Sequence, residues 1–332
     1  MPRKIAEKVS SFHSELDAYY REALVATRES EERGKLRHLE LHPSSFPYCG
    51  LRHMNAVCEA PPGSVRTQDF RMSVTVDVGT TFHSVIQQAM GSLGQIYGDW
   101  HCKCGNRTSF SRLSLCKKCG RTMTYEELGV RIGKRICGHT DGLFRIKGTA
   151  KYVLVDYKTT RSSKVLDHKR GKYKAFPDKT NVAQITKYCG LLSLQYEVDI
   201  VGWALIYGGR DSLATDYVII SANVSKDDLE DIQHDLAVWD DHFDHVVKSS
   251  TLADVKVLVD EKPCKSHEYY MDNYHDKYNP CALAGICFNR KVLKEHMEER
   301  IERAQEWLPL TRISLSKAHR ELEAKTGIKY KS

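Results

Sequence analysis

No apolar run in this 332-residue sequence is long enough to cross a bilayer. The most apolar stretch, residues 198–207, is about half the length a spanning helix needs and reads as a buried strand. A secretory signal is also missing. The stretch MPRKIAEKVSSFHSELDAYY is charged throughout, with no apolar core and no small-residue cleavage site. Proline is scarce at 9, glycine is unremarkable at 21, and no internal repeat is present. Nothing in this composition suggests extended disorder or low complexity. These absences together predict a protein of the reducing cytoplasm with no membrane partner.

What is present is a core-forming composition, 41% hydrophobic and 28% charged, in a chain sized for one large domain or two modest ones. A net charge of +7 permits a polyanionic partner without requiring one. The 11 cysteines are an odd number with tight local spacings. In a reducing compartment that pattern points to metal ligation in preference to disulfides.

Ile5, Val9, Phe12, Leu16 and Tyr19 step by four and three, predicting an amphipathic helix within an N-terminal helical segment, residues 1–43. Pro47 breaks the pattern, and a domain is expected over residues 44–290. Phe82, Val85, Ile86, Ala89, Met90 and Leu93 predict a second helix capped by Thr80 or Thr81. Residues 99–121 form a cysteine-rich basic insert, and residues 130–146 and 151–158 then alternate as two neighbouring strands. A helix over residues 181–196, a strand over 199–207 and mostly helix beyond Ser225 follow, ending in a helical tail, residues 291–332. The alternation predicts an α/β architecture, a mixed sheet flanked by helices.

Strand geometry sends Val153, Val155 and Tyr157 to one face of residues 153–158, and Leu154, Asp156 and Lys158 to the other. A carboxylate and an ammonium two apart suit metal-assisted hydrolysis. The carboxylate holds a hard cation, and the lysine lies beside the attacking water. Asp141 sits on the preceding strand, where a hairpin-like return would bring it opposite Asp156. Gln184 and Tyr188, four apart on a predicted helix, share one face.

Gly79 to His83, then Gly138 to Gly142 around Asp141, then Asp156 to Lys158, then Gln184 to Tyr188 reproduce in order four motifs. They are the GxxxH helix, strand aspartate, D-x-K strand and QxxxY helix of the RecB-like branch of the PD-(D/E)XK nucleases, and residues 44–290 resemble that family. The resemblance implies a restriction-endonuclease-like core in which His83, Asp141, Asp156 and the Tyr157 carbonyl bind Mg²⁺ or Mn²⁺. Lys158 orients the water, and Gln184 and Tyr188 position DNA or Lys158. A histidine ligand favours Mn²⁺.

Cys102, Cys104, Cys116 and Cys119 form two short pairs, each followed by glycine, and read as a zinc ribbon for tetrahedral Zn²⁺, with His101 as an alternative ligand. Arg107, Arg112, Lys117, Lys118 and Arg121 decorate this insert and suit DNA phosphates. Cys137 and Cys189 read as buried core cysteines. The set Cys49, Cys264, Cys281 and Cys287 flanks the core from both ends. Its placement resembles the CRISPR-associated RecB-type exonucleases and AddB-type helicase-nucleases, which implies a [4Fe–4S] cluster. Cys264 departs from that pattern, since Tyr278 stands where the family's second cysteine falls. A loop returning Cys264, Cys58 in its place, and Zn²⁺ in the site stay open.

Arg161, Lys164, Lys169, Arg170, Lys172, Lys174 and Lys179 surround Tyr173 and Phe176 between the catalytic strand and the Gln184 helix, a mixture suited to tracking phosphates and stacking bases of single-stranded DNA, with a merely solvated loop as the rival reading. No GxxxxGK[ST] loop is present, so any ATP-driven unwinding falls to a helicase or recombination partner. The expected function is a metal-dependent DNA exonuclease on single strands or DNA ends in recombination or repair, in a bacterial or virus-infected cell. The rival readings are a structure-specific endonuclease, and a DNA-binding or assembly subunit with a dormant site.

Overall fold

The computed structural model describes residues 40–45, 49–59, 70–112, 115–172, 176–210, 217–249, 256, 259, 264, 266–273 and 281–305. The helices expected over residues 5–19 and in the tail beyond 305, together with Tyr173 and Lys174, lie outside the described residues.

In chain order the elements are α1 (Gly50–Glu59), α2 (Phe70–Ser92), β1 (Gly98–His101), β2 (Arg107–Ser111), β3 (Thr124–Glu126), β4 (Leu128–Ile132), β5 (Ile136–Thr140) and β6 (Gly142–Arg145). There follow β7 (Lys151–Thr160), α3 (Ser162–Lys169), α4 (Lys179–Tyr196), β8 (Asp199–Gly209), β9 (Tyr217–Asn223), α5 (Lys226–Ser249), α6 (His267–Asn273) and α7 (Arg290–Ala304).

The centre is a four-stranded sheet in the order β6-β7-β8-β9. β7 pairs antiparallel with β6 and parallel with β8, and β9 returns antiparallel on β8, so the sheet is mixed. A parallel pair needs a crossover, and α3 and α4 supply it. β7 is covered on both faces, as its alternation predicts. Val155 and Tyr157 pack with Phe82 of α2, whereas Leu154 joins the main core with Ile185 and Leu192 of α4. Asp156 and Lys158 therefore lie on the α4 side. β4 and β5 form a separate hairpin, and β2-β1-β3 a small three-stranded sheet that carries the cysteine insert.

Local chemistry fixes several boundaries. Asp178 caps α4 by accepting from the Thr180 amide at 2.8 Å. At the start of α5, Ser225 Oγ accepts from the Asp228 amide at 3.1 Å, and the Asp228 carboxylate accepts from the Ser225 amide at 2.9 Å. This is a reciprocal capping box.

Four expectations change. The second helix begins at Phe70, so Thr80 and Thr81 are interior, and Thr81 Oγ1 donates to the Asp77 carbonyl at 2.9 Å instead of capping. Its inward face also differs: Val85 and Leu93 are 62% and 70% exposed, while polar Gln87 is buried, because the inward positions serve Asp141 as well as the core. Residues 130–146 hold parts of three strands in place of one, because Gly133 (φ 55°) turns β4 into β5 and the chain bends again at Asp141. The basic segment after β7, for which the sequence predicts no element, contains α3, with Ser162 and Val165 buried, and β9 was hidden by its mixed composition as an exposed edge strand.

Candidate active site

The β6–β7 ladder ends on the pair Gly142 and Val155, so Asp141 stands one residue beyond it beside Asp156. The Asp141 carboxylate is anchored there, its Oδ2 accepting from the Tyr157 amide at 2.7 Å. On β7, Lys158 Nζ lies 3.1 Å from Asp156 Oδ1 and 2.8 Å from Oδ2. Oδ2 is buried and, that ion pair aside, has no hydrogen-bond partner, which leaves a lone pair free for a cation. Burial, then the neighbouring Asp141 charge, pushes the Asp156 carboxyl up to about 7 against the pull of Lys158. Burial alone would lower Lys158, but the carboxylates of Asp156 and Asp141 hold it above the ordinary lysine value. Lys158 thus remains a cation.

His83 approaches from α2, with Nδ1 3.4 Å from Asp141 Oδ2. Desolvation pulls its pKa down, and the Asp141 interaction more than offsets this, so it ends above the ordinary value. One turn on, Gln87 Nε2 donates at 2.9 Å both to the Asp141 carbonyl and to Glu127 Oε1. Donor atoms of His83, Glu127 and Asp141 all lie within 4.8 Å of one another. This trio does not include Asp156. Glu127 was not foreseen: it precedes β4 and belongs to none of the four motifs, and only the fold brings it against Asp141.

From α4, Gln184 Oε1 accepts from Lys158 Nζ at 3.2 Å. Tyr188 is buried, and its ring and hydroxyl fill the space over Gly138, where a Cβ would meet the hydroxyl at 2.5 Å. Its phenol pKa is raised, chiefly by burial and then by Asp141, Asp156 and Glu127. The structure therefore joins His83, Asp141, Asp156, Lys158 and Gln184 at one place, with Tyr188 packed beneath β5 and Tyr157 facing α2. Hard oxygen donors with one imidazole fit a divalent cation such as Mn²⁺.

The sulfurs of Cys102, Cys104, Cys116 and Cys119 also lie within 4.8 Å of one another, the closest pairs being Cys102 to Cys119 at 3.5 Å and Cys104 to Cys116 at 3.6 Å. Two turns with glycines at positive φ, Gly105 (84°) and Gly120 (71°), present them. Burial pushes the Cys116 thiol up, but hydrogen bonds from the Cys119 and Lys118 amides and neighbouring thiols bring it down to about 6. This group can hold a metal ion. It is complete without His101, which instead lies 3.7 Å from Glu126.

Cys49, Cys264, Cys281 and Cys287 converge more loosely. Burial, helped by the charges of Cys281, Cys287 and Cys264, pushes Cys49 up to about 12. The four are not drawn to the 4.8 Å spacing of the first set. Cys58, Cys137 and Cys189 are buried, and Cys137 also hydrogen-bonds Glu40.

Arg161, Lys164, Lys169, Arg170 and Lys172 are exposed on and flanking α3. Phe176 is not a free stacking platform, since it packs 4.3 Å from the Tyr207 ring. Among the described residues, an exposed aromatic beside these cations is Tyr217 of β9, with Lys169 Nζ 5.8 Å from its ring.

No helix among the described residues is long and apolar enough to cross a membrane. The chain matches no protein-family model and no curated protein. Among solved structures, the crystal structure of LHK-Exo in complex with dAMP aligns with 65% of this chain and 95% of that chain, at 12% identity and a TM-score of 0.33. A likeness of that size carries no argument about fold or activity.

Proposed function

We propose that this chain is a divalent-metal-dependent deoxyribonuclease, an exonuclease acting on single-stranded DNA or DNA ends, with a restriction-endonuclease-like core. The observation that carries the reading is the meeting of Asp141 with Asp156 and Lys158 at the end of the β6–β7 ladder, with Lys158 Nζ 2.8 Å from Asp156. Asp-x-Lys on a strand is often a surface ion pair. Here Asp156 is buried and Lys158 half-buried beside a second carboxylate, so two carboxylates share one ammonium and a divalent cation would offset the excess negative charge.

His83, Asp141, Asp156 and the Tyr157 carbonyl are the groups that would hold Mg²⁺ or Mn²⁺. When bound, the cation lowers the pKa of a ligated water from about 15.7 toward about 7 and offsets phosphate charge. Lys158 orients the attacking water: its oxygen would bond to phosphorus as the bond to the leaving oxygen breaks, the water's proton passing to solvent and the leaving oxygen taking one from solvent as it departs with its strand. Gln184 holds the Lys158 ammonium in place. Arg161, Lys164, Lys169, Arg170 and Lys172 are assigned to phosphate tracking, a role that the sequence extends to Tyr173 and Lys174. Zn²⁺ is assigned to Cys102, Cys104, Cys116 and Cys119, and a [4Fe–4S] cluster to Cys49, Cys264, Cys281 and Cys287.

The test is incubation of labelled linear and circular, single- and double-stranded DNA with Mg²⁺, Mn²⁺ or EDTA. The reading expects metal-dependent loss of linear substrates only. Cutting of circles makes the protein an endonuclease, and binding without cleavage in any metal makes it a DNA-binding subunit.

A further inference from the structure

We infer that Glu127 is a direct ligand for a divalent cation, completing with His83 and Asp141 a three-donor site that the four sequence motifs do not define. The inference deepens the nuclease reading and rests on its cation site. Three separate parts of the chain supply the donors: α2, the residue before β4, and the bend after β5. Their ligand atoms nonetheless fall within 4.8 Å of one another, a separation that small adjustments convert into a shared coordination sphere.

Gln87 argues that this convergence is built. It is 7% exposed and lies one helical turn from His83, and its amide donates at 2.9 Å to both Glu127 Oε1 and the Asp141 carbonyl. One neutral donor thus orients the Glu127 carboxylate and the backbone carrying Asp141, leaving the second Glu127 oxygen uncommitted to it. A buried polar group that fixes ligand orientation is how metal sites are supported from behind.

Charge argues the same way. Among the described residues no lysine or arginine ion-pairs with Glu127, and Lys158 is committed to Asp156 and Gln184. Two carboxylates at so short a distance repel each other, and a divalent cation shared between them relieves that repulsion more fully than a single imidazole can. Two carboxylate oxygens with one imidazole nitrogen suit Mn²⁺.

The competing explanation is structural: Glu127 serves only as the acceptor for Gln87. Glu127→Gln separates the two, because it keeps a carbonyl oxygen for the Gln87 amide and removes the charge. Mn²⁺ binding to the full chain, without DNA, is read from the EPR signal of free Mn²⁺. Circular dichroism and the melting temperature check folding. Glu127→Gln is expected to weaken Mn²⁺ binding by about tenfold or more, equivalent to about 1.4 kcal/mol. Glu127→Asp, which keeps the charge and retracts the carboxylate, should fall between it and the wild type. Gln87→Met should weaken binding by about tenfold while leaving all three donors in place.

Wild-type Mn²⁺ affinity in folded Glu127→Gln or Glu127→Asp overturns the inference. Should Glu127→Gln fail to fold, Glu127→Asp and Gln87→Met decide. The nuclease reading fails differently. Loss of Mn²⁺ affinity on removing Glu127, in a wild type that cleaves no DNA, leaves the cation site and removes the nuclease. Cleavage with unchanged Mn²⁺ affinity does the reverse.

Discussion

Trp100, on β1 of the cysteine-bearing sheet, packs so closely on Gly91 of α2 that a Cβ at Gly91 would stand 2.5 Å from the indole ring. Trp100 is 2% exposed and shares its small core with Cys102 and Cys116. The four-cysteine group thereby holds a side chain that braces the helix carrying His83. So small a sheet depends on its metal for order. Metal analysis should find about one zinc per chain at this group, and Cys116→Ser should lose it. The loss should also red-shift tryptophan emission, and the shift should vanish in a Trp100→Phe background. Retained zinc or an unmoved spectrum would reject the coupling.

Gln184 accepts from Lys158 at 3.2 Å, and no other contact of its side chain competes for that role among the described residues. Gln184→Leu keeps the size and removes the acceptor. Cleavage turnover should fall by about a hundredfold through misplacement of the ammonium, with Mn²⁺ affinity and melting temperature nearly unchanged. A loss appearing in KM alone would assign Gln184 to substrate binding instead.

Much of this site was legible because period-two alternation carries over into a buried strand without loss. Asp156 and Lys158 sit on the face that their spacing dictates, and Gln184 meets Lys158 because α4 covers that face. Gly138 was part of a motif, but its reason is spatial: Tyr188 occupies the room a side chain would need. Glu127 and Gln87 escaped because neither has a neighbour in sequence that reveals its partner; 40 residues separate them. The helix inside the basic segment escaped for a related reason. Its charges leave no apolar stripe to read, yet Ser162 and Val165 provide just enough inward surface to seat α3 against β8.

Asp240 of α5 binds the β4–β5 turn, with Oδ1 accepting from the Arg135 amide at 2.6 Å and the Ile136 amide at 3.0 Å, and Oδ2 from the Lys134 amide at 2.7 Å. Asp244 beside it accepts from the buried Arg135 guanidinium at 2.9 Å. Asp240→Ala leaves three backbone donors without this acceptor, two of them buried, at a cost of about 1–3 kcal/mol for each buried group. Urea denaturation should show a loss of at least about 2 kcal/mol in the midpoint-derived stability. A change below about 0.5 kcal/mol would mean that water replaces the carboxylate at this turn.

The Asp156 carboxyl, held up near 7 in the metal-free fold, makes cation binding depend on pH. The sign follows from the raised value. A carboxyl whose folded pKa lies above its ordinary 3.8 contributes to apo stability below that ordinary value, and the contribution disappears as pH rises through about 7. A cation needs the carboxylate, so below pH 7 its binding must first expel this proton, and above pH 7 it need not. His83, also raised, must lose its proton too and acts in the same direction. Mn²⁺ affinity should therefore climb by about tenfold or more from pH 6 to pH 8, with most of the gain below pH 7. Asp156→Asn should bind Mn²⁺ more weakly at pH 8 and show a shallower climb, with His83 supplying the remainder. Titrations at pH 6, 7 and 8 read by EPR measure both slopes. An equal slope in wild type and Asp156→Asn would remove Asp156 from the groups that the cation displaces a proton from.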